Sequence, residues 1–353
     1  MSEKSKTLKK PEWDLKKIGN MLLNNALLII MLLAAIYIAI AEPTFVSPSS
    51  LINLLSQTAV YLPVALGIGG CIVLTGTDLS AGRTVGITAC VAASLLQAVD
   101  VANKMWPGIQ PLPVFVVILI AVGLGVLIGA FNGFWVAKFK FHPFIVTLAT
   151  QLILYTCLLL YIQMGNNSGS AISGLDPSYT NFVKDSILSI PVGNGAEVPI
   201  SNYVWYAILL TILMWFIWNK TTFGKNMFAL GANEEAARVS GVNGFATTVL
   251  VFALAGAMYG FAGFVEGARV ASNTANTGFN YELDAIAACV IGGVSFVGGI
   301  GKIRGVVIGV LLLRLIFVGL PMIGMDQNLQ YAIKGGIILF ACALDMRKYL
   351  VKK

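Results

Sequence analysis

The chain has 353 residues, of which 57% are hydrophobic and only 11% charged, and its mean hydropathy is +0.83. A water-soluble chain carries about 25% charged residues, so the composition argues against soluble domains, and at ~20 residues per span the apolar content suffices for about ten membrane helices. The net charge of +7 does not call for nucleic acid: Lys4, Lys6, Lys9, Lys10, Lys16 and Lys17 precede the first apolar run, and Arg347, Lys348, Lys352 and Lys353 follow the last. That is the placement of membrane flanks.

In chain order, apolar runs predict spans at 22–40, 54–75, 84–98, 112–132, 143–163, 202–218, 246–265, 283–296, 304–320 and 328–344. The expected fold class is an all-α polytopic membrane protein of about ten transmembrane helices. A cytoplasmic tail is expected over 1–20, a transmembrane domain over 21–345 and a second cytoplasmic tail over 346–353. The first run is too long for a signal peptide and reads as a retained helix. The third and eighth are short, and a broken or partly re-entrant helix would suit them, provided protein shields the backbone. An even number of crossings puts both termini on one side. Eighteen Lys and Arg then fall on that side, Arg83 among them, against Lys104, Lys184 and Arg269 on the other. The positive-inside rule makes the basic side cytoplasmic.

Between the second and third spans, Thr77-Asp78-Leu79-Ser80 places an acid at the edge of the apolar zone. Asp78 suits a helix cap, with Arg83 on lipid phosphate or on Asp78 itself; a pathway or gating role for Asp78, Ser80 and Arg83 is the other reading. The cysteines (71, 90, 157, 289 and 342) all lie in apolar runs without a CxxC pair, and His142 is the sole histidine, so a metal site is not expected. Segment 164–200 is polar and too short for a domain. Trp106, Trp135, Trp205 and Trp218 fall near proposed span ends, where an interfacial belt would lie.

Loop 219–243 carries the sharpest local signal. Asn233 is a candidate N-cap, Glu234 and Glu235 would occupy a first turn, and Gly241 would stop the helix. Ala236, Ala237 and Val239 are expected to make a small apolar face, either for a groove on a partner or for the membrane surface. No phosphate-binding loop exists: around Gly301-Lys302, Phe296 and Ile303 stand where Gly and Ser or Thr are required. No cofactor is expected on this chain, so ATP and Mg belong on a partner.

Segment 266–285 is expected to be an outer loop. Asn273, Asn276, Asn280, Tyr281, Glu282 and Asp284 offer the dense donors and acceptors that sugar hydroxyls need, or charges for an outer partner, or simply a polar cap on two helices. Arg314 lies deep in the ninth run and should face the bundle or a pathway opposite an acid. Lys334 is expected to snorkel outward.

Three stretches carry a resemblance. Gly231-Ala232-Asn233-Glu234-Glu235-Ala236-Ala237-Arg238-Val239-Ser240-Gly241 resembles the cytoplasmic coupling segment of bacterial ABC sugar-importer permeases of the ribose, xylose and galactose branch. Thr77-Asp78-Leu79-Ser80-Ala81-Gly82 resembles that branch's motif after its second helix, and Tyr281 through Ser295 its motif near the eighth. Within the branch, Thr75-Gly76-Thr77-Asp78 and the stretch 270–293 point to galactoside importers first and ribose importers second.

The resemblance implies two copies of this chain in the membrane, a cytoplasmic ABC ATPase and a periplasmic sugar-binding protein delivering a monosaccharide. It also implies that Gly231, Asn233, Glu234, Glu235, Ala236, Ala237, Arg238, Ser240 and Gly241 form the ATPase contact. The chain is then a transport subunit of the bacterial inner membrane and not itself an enzyme. The rival is an ion-coupled secondary transporter using Asp78 or Arg314 at mid-membrane.

Overall fold

The computed structural model describes residues 26–191 and 197–350, so the tail expected over 1–20 lies outside the described residues. Among the described residues there are thirteen α-helices. They are α1 Ala26–Ala41, α2 Pro48–Val73, α3 Ala81–Leu95, α4 Val114–Phe139, α5 Pro143–Ile162, α6 Pro177–Lys184, α7 Asn202–Lys220, α8 Thr222–Ala232, α9 Glu234–Val239, α10 Gly244–Val270, α11 Tyr281–Ile291, α12 Ile303–Met322 and α13 Gln327–Leu350. The protein is an all-α, multi-pass membrane protein apart from a small antiparallel hairpin, β1 Ser186–Pro191 with β2 Glu197–Ser201. That hairpin and α6 give structure to a segment expected only to be polar and too short for a domain.

Among the described residues, six helices are long and apolar enough to cross a bilayer: α2, α4, α5, α7, α10 and α12. At 1.5 Å per residue, α2 is about 39 Å long, whereas the 11-residue α11 reaches only about 16 Å, well short of a ~30 Å hydrocarbon core. The 15-residue α3 is also short, at about 22 Å. These are the two runs whose glycines and length suggested incomplete crossings.

The bundle is arranged for lipid. The most apolar window, in α4, is only 22% buried, while the less apolar window of α2 is 67% buried. Lipid solvates the side chains of α4 as well as protein does, so packing must come from close backbone approach. Gly125 of α4 lies against Gly256 of α10: a Cβ on Gly125 would meet the Gly256 carbonyl oxygen at 2.1 Å, and the reverse substitution meets the Gly125 oxygen at 2.0 Å. α10 thus runs through the middle, between α4, α3 and α2, while α2 also carries α7, α11 and α12.

Several expected edges move. α2 begins at Pro48, capped by the Ser47 side chain, which accepts from Ser50 N. α4 continues through Lys138 to Phe139, and α13 to Leu350. Trp205 is exposed, but Trp218 is buried against the Phe228 ring at 5.6 Å, so it belongs to the core and not to an interfacial belt.

Segment 266–285 is not a simple outer loop. After α10 the chain turns at Ala271 (φ +59) and dips back into the bundle, where the Ala275 carbonyl meets Arg83 of α3. Glu282, at the start of α11, accepts from Gln151, about 12 Å along α5 from Pro143. α11 therefore begins inside the protein, its preceding backbone shielded by α3 and α5, as bilayer depth demands.

Candidate functional site

At one end of the bundle, loop 219–243 forms two helices where one was expected. Thr221 caps α8, its hydroxyl accepting from Gly224 N at 3.1 Å. Asn233 then closes α8 and opens α9 in a single extended residue: its N–H donates to Ala229 O, and its Oδ1 accepts from Ala236 N at 2.9 Å. Glu234 and Glu235 occupy the first turn of α9 and Arg238 the last, each at the favourable end of the helix dipole. Gly241 sits at φ +84. The Gly241 and Val242 amides donate to the carbonyls of Arg238 and Ala237, the paired closure that ends a helix on a left-handed residue.

The expected apolar face of α9 divides. Ala237 is buried, but Ala236 is exposed and Val239 is 86% exposed. At 100° per residue, positions 236 and 239 share a side and 237 points away from it. The outward surface of α9 therefore carries Glu235, Ala236, Arg238 and Val239, followed by exposed Ser240 and Gly241. Glu234 forms an ion pair with Lys140, the residue that follows α4.

Gly231 fixes this handle to the bundle. A Cβ there would lie 1.8 Å from the Val73 carbonyl oxygen at the end of α2 and 2.9 Å from Gly299 N. Gly299 N in turn donates to that same Val73 oxygen at 2.9 Å. The last turn of α8 thus rests directly on the end of α2 and on the turn between α11 and α12.

Inside the bundle, the other candidate residues separate into groups. Asp78 is fully buried, and its Oδ1 accepts from Ser80 N at 3.0 Å and Ser80 Oγ at 2.6 Å. Asn132 of α4 donates to Ser80 Oγ and accepts from Thr150 Oγ1 of α5, which completes a chain tying turn 78–80 to two helices. Arg83 is buried and does not turn to Asp78. Its Nη1 donates to Ala275 O at 2.8 Å, and its guanidinium lies 4.3 Å from the Tyr155 ring centroid. Two residues into α3, it points away from the turn that holds Asp78 and props up the re-entrant segment instead.

Asn273 donates to Gly267 O, and its backbone pairs with Ile172, so it fastens the outer segment. Asn276 is exposed and stands apart from the rest. Tyr281 donates to Glu266 Oε1 at 2.6 Å, and Arg269 grips both oxygens of Glu266 at 2.7 and 2.8 Å. Asp284 has an ion pair on each oxygen: Arg314 Nη2 at 2.5 Å and Lys334 Nζ at 2.5 Å. Lys334 therefore turns inward and does not snorkel. Asn280, Asp284 and Arg314 come together around a cavity of about 220 Å³.

Tyr61, whose ring lies 3.8 Å from the Arg314 guanidinium and 4.4 Å from the Tyr281 ring, was not singled out by the sequence. Nor was Asn132, although a carboxamide inside a 26-residue apolar helix is itself a signal.

Comparison with known proteins fits this geometry. Residues 50–342 match the family described as branched-chain amino acid transport system / permease component. The chain is 45% identical over 325 residues to the galactose/methyl galactoside import permease protein MglC of Salmonella typhimurium, covering 92% of this chain and 94% of that one. It is 42% identical over 337 residues to the protein of the same name from Haemophilus influenzae, with 96% and 98% covered. To the ribose import permease protein RbsC of Escherichia coli it is 33% identical over 321 residues, with 91% and 93% covered. No solved structure matches the chain. Taken with the multi-pass bundle, these matches place the chain in that permease family, as a permease component of a transport system.

Proposed function

We propose that this chain is the membrane permease subunit of an ATP-driven ABC importer for galactose and methyl galactosides. The observation that carries the reading is the 45% identity to a galactoside import permease over nearly the full length of both chains. Identity to the ribose permeases is lower, at 33%. Two copies form the pathway in the inner membrane, with about ten crossing helices each and both termini cytoplasmic. The basic residues beside the α8–α9 handle, Lys138, Lys140, Lys220, Lys225, Lys302 and Arg304, support a cytoplasmic position for it.

A cytoplasmic ATPase, which supplies ATP and Mg, grips the outward surface of α9 through Glu235, Ala236, Arg238 and Val239. Asn233, Ser240 and Gly241 shape that surface. Ala237 and Gly231 pass its movement to α2 and to the turn before α12. A periplasmic sugar-binding protein docks on the opposite rim. ATP binding and hydrolysis then bias the bundle between two states by differential affinity.

The test is reconstitution of this chain with its ATPase and sugar-binding protein in proteoliposomes. ATP-dependent galactose uptake is expected, and Glu235→Ala with Arg238→Ala is expected to weaken ATPase assembly. Galactose uptake by this chain alone, driven by an ion gradient, would instead establish the secondary-transporter reading.

A further inference from the structure

The cavity between α2, α12, α13 and the first turn of α11 has an unusual lining. None of its nine side chains is aliphatic. Four are rings: Tyr61, Phe279, Phe317 and Tyr331. The other five are Asp284, Arg314 and Lys334 with the carboxamides Asn280 and Gln330. In a lipid-embedded chain, polar side chains face inward only where they pair or line a path. Here they do both.

The cations rest on the rings. The Arg314 guanidinium is 3.8 Å from the Tyr61 centroid, and the Lys334 ammonium is 5.2 Å from Phe317 and 5.5 Å from Tyr331. Asp284 bridges the two cations. Arg314 is 7% exposed, and its Nε has no hydrogen-bond partner among the described residues. A buried donor without an acceptor is costly, and the Tyr61 ring against the guanidinium offsets part of that cost.

We infer that this cavity is a binding station for a single neutral hexose inside the permease itself. A pyranose presents hydroxyls around its edge and C–H bonds on its faces. The carboxamides of Asn280 and Gln330 supply both donors and acceptors to the hydroxyls. The rings supply flat apolar surface for the C–H faces. At about 220 Å³ the cavity is smaller than the roughly 300–1,000 Å³ of sites for drug-sized ligands, which suits one sugar ring and not a di- or trisaccharide. Both cations of the lining are already paired with Asp284, so the neutrality of the ligand follows from the galactoside reading.

The station also has a mechanical link to the handle. Asp284 belongs to the first turn of α11, and the chain leaving α11 reaches Gly299, which abuts Val73 and Gly231. One short helix thus separates the sugar from the α8–α9 segment.

This inference rests on the galactoside-permease reading, and the experiment separates the two. The assembled transporter in proteoliposomes is prepared as wild type, Gln330→Ala, Tyr331→Ala and Gln330→Cys. Galactose delivered per ATP hydrolysed is expected to fall roughly fivefold in each alanine variant, the size of one lost hydrogen bond or face contact. Galactose is expected to slow thiol labelling of Gln330→Cys above the wild-type cysteine background. Galacturonate and the trisaccharide raffinose are expected to leave it unchanged.

An unchanged ratio of sugar to ATP, or labelling indifferent to galactose, overturns the station while wild-type uptake stands. Protection by galacturonate and not by galactose overturns the neutral-hexose assignment. Absence of ATP-dependent galactose uptake in the wild type overturns the underlying reading instead. Where Gln330→Cys fails to assemble, Tyr331→Cys carries the labelling test, since Tyr331 is 49% exposed.

Discussion

Two acids in this chain have opposite circumstances. Glu234, on the handle, pairs with Lys140 where both side chains are mostly exposed. Asp284, in the interior, pairs with Arg314 and Lys334 at a side-chain exposure of 5%. Water and salt screen the first pair, so removing either partner changes little. Asp284 is the ion-pair partner of both Arg314 and Lys334, so removing it strands two largely buried cations. Charge on the handle is therefore free to serve a partner, whereas charge in the interior is first of all structural, and any ligand must be accommodated around it.

The largest expected effect follows from the interior side. Asp284→Ala should cost about 3–5 kcal/mol, because it leaves Arg314 and Lys334 unpaired in a low-dielectric site. The melting temperature of the chain in nanodiscs reports it. Asp284→Leu combined with Arg314→Met should recover part of the loss by removing one stranded charge as well. A melting temperature unchanged by Asp284→Ala would erase the contrast between the two regions.

Gly231→Ala ranks next. Its Cβ would meet the Val73 oxygen at 1.8 Å, backbone against helix end, so α8 must move. Overpacking of this kind costs about 1–3 kcal/mol. The sharper readout is functional: ATP hydrolysis should persist while galactose uptake per ATP falls, because the handle no longer seats on α2. Gly241→Ala should be milder. Nothing lies within 4 Å of its would-be Cβ, so the cost is purely that of φ +84, about 1–2 kcal/mol for a non-glycine residue. Gly241→Asn should be better tolerated than Gly241→Ala, since Asn adopts that conformation more readily. Equal thermal stability for the Ala and Asn variants would argue against a conformational cause.

The same contrast explains what could be read from the sequence. The Asn233 cap, the acids of the first turn and the Gly241 stop depend on neighbours within about four residues, and their chemistry is visible in the order of side chains. The long apolar runs at α4, α5 and α10 are equally legible, because lipid imposes their length. Segment 271–280 was not. Its Ser, Thr and Asn residues look like an outer loop, and only the three-dimensional approach of Arg83 and Gln151 shows it entering the bundle. An acid opposite Arg314 was foreseeable on cost alone, but Asp284 lies 30 residues away, and no local pattern names it. α8 escaped notice because its anchor, Gly231 on Val73, is a contact between distant segments.

The smallest expected effect is also the one that best isolates the handle. A double-mutant cycle on Lys140→Ala and Glu234→Ala should give an interaction energy of about 0.2–1 kcal/mol, shrinking further as salt rises. Glu235, which has no ion pair among the described residues, should behave differently: Glu235→Ala should leave stability within about 0.5 kcal/mol of wild type. Yet it should lower the amount of ATPase that co-purifies more than Glu234→Ala does, because Glu235 faces outward while Glu234 is held by its own chain. If Glu234→Ala released the ATPase and Glu235→Ala did not, the Lys140 pair would have to open on assembly. The outward surface of α9 would then be turned toward Lys140, and not toward Val239.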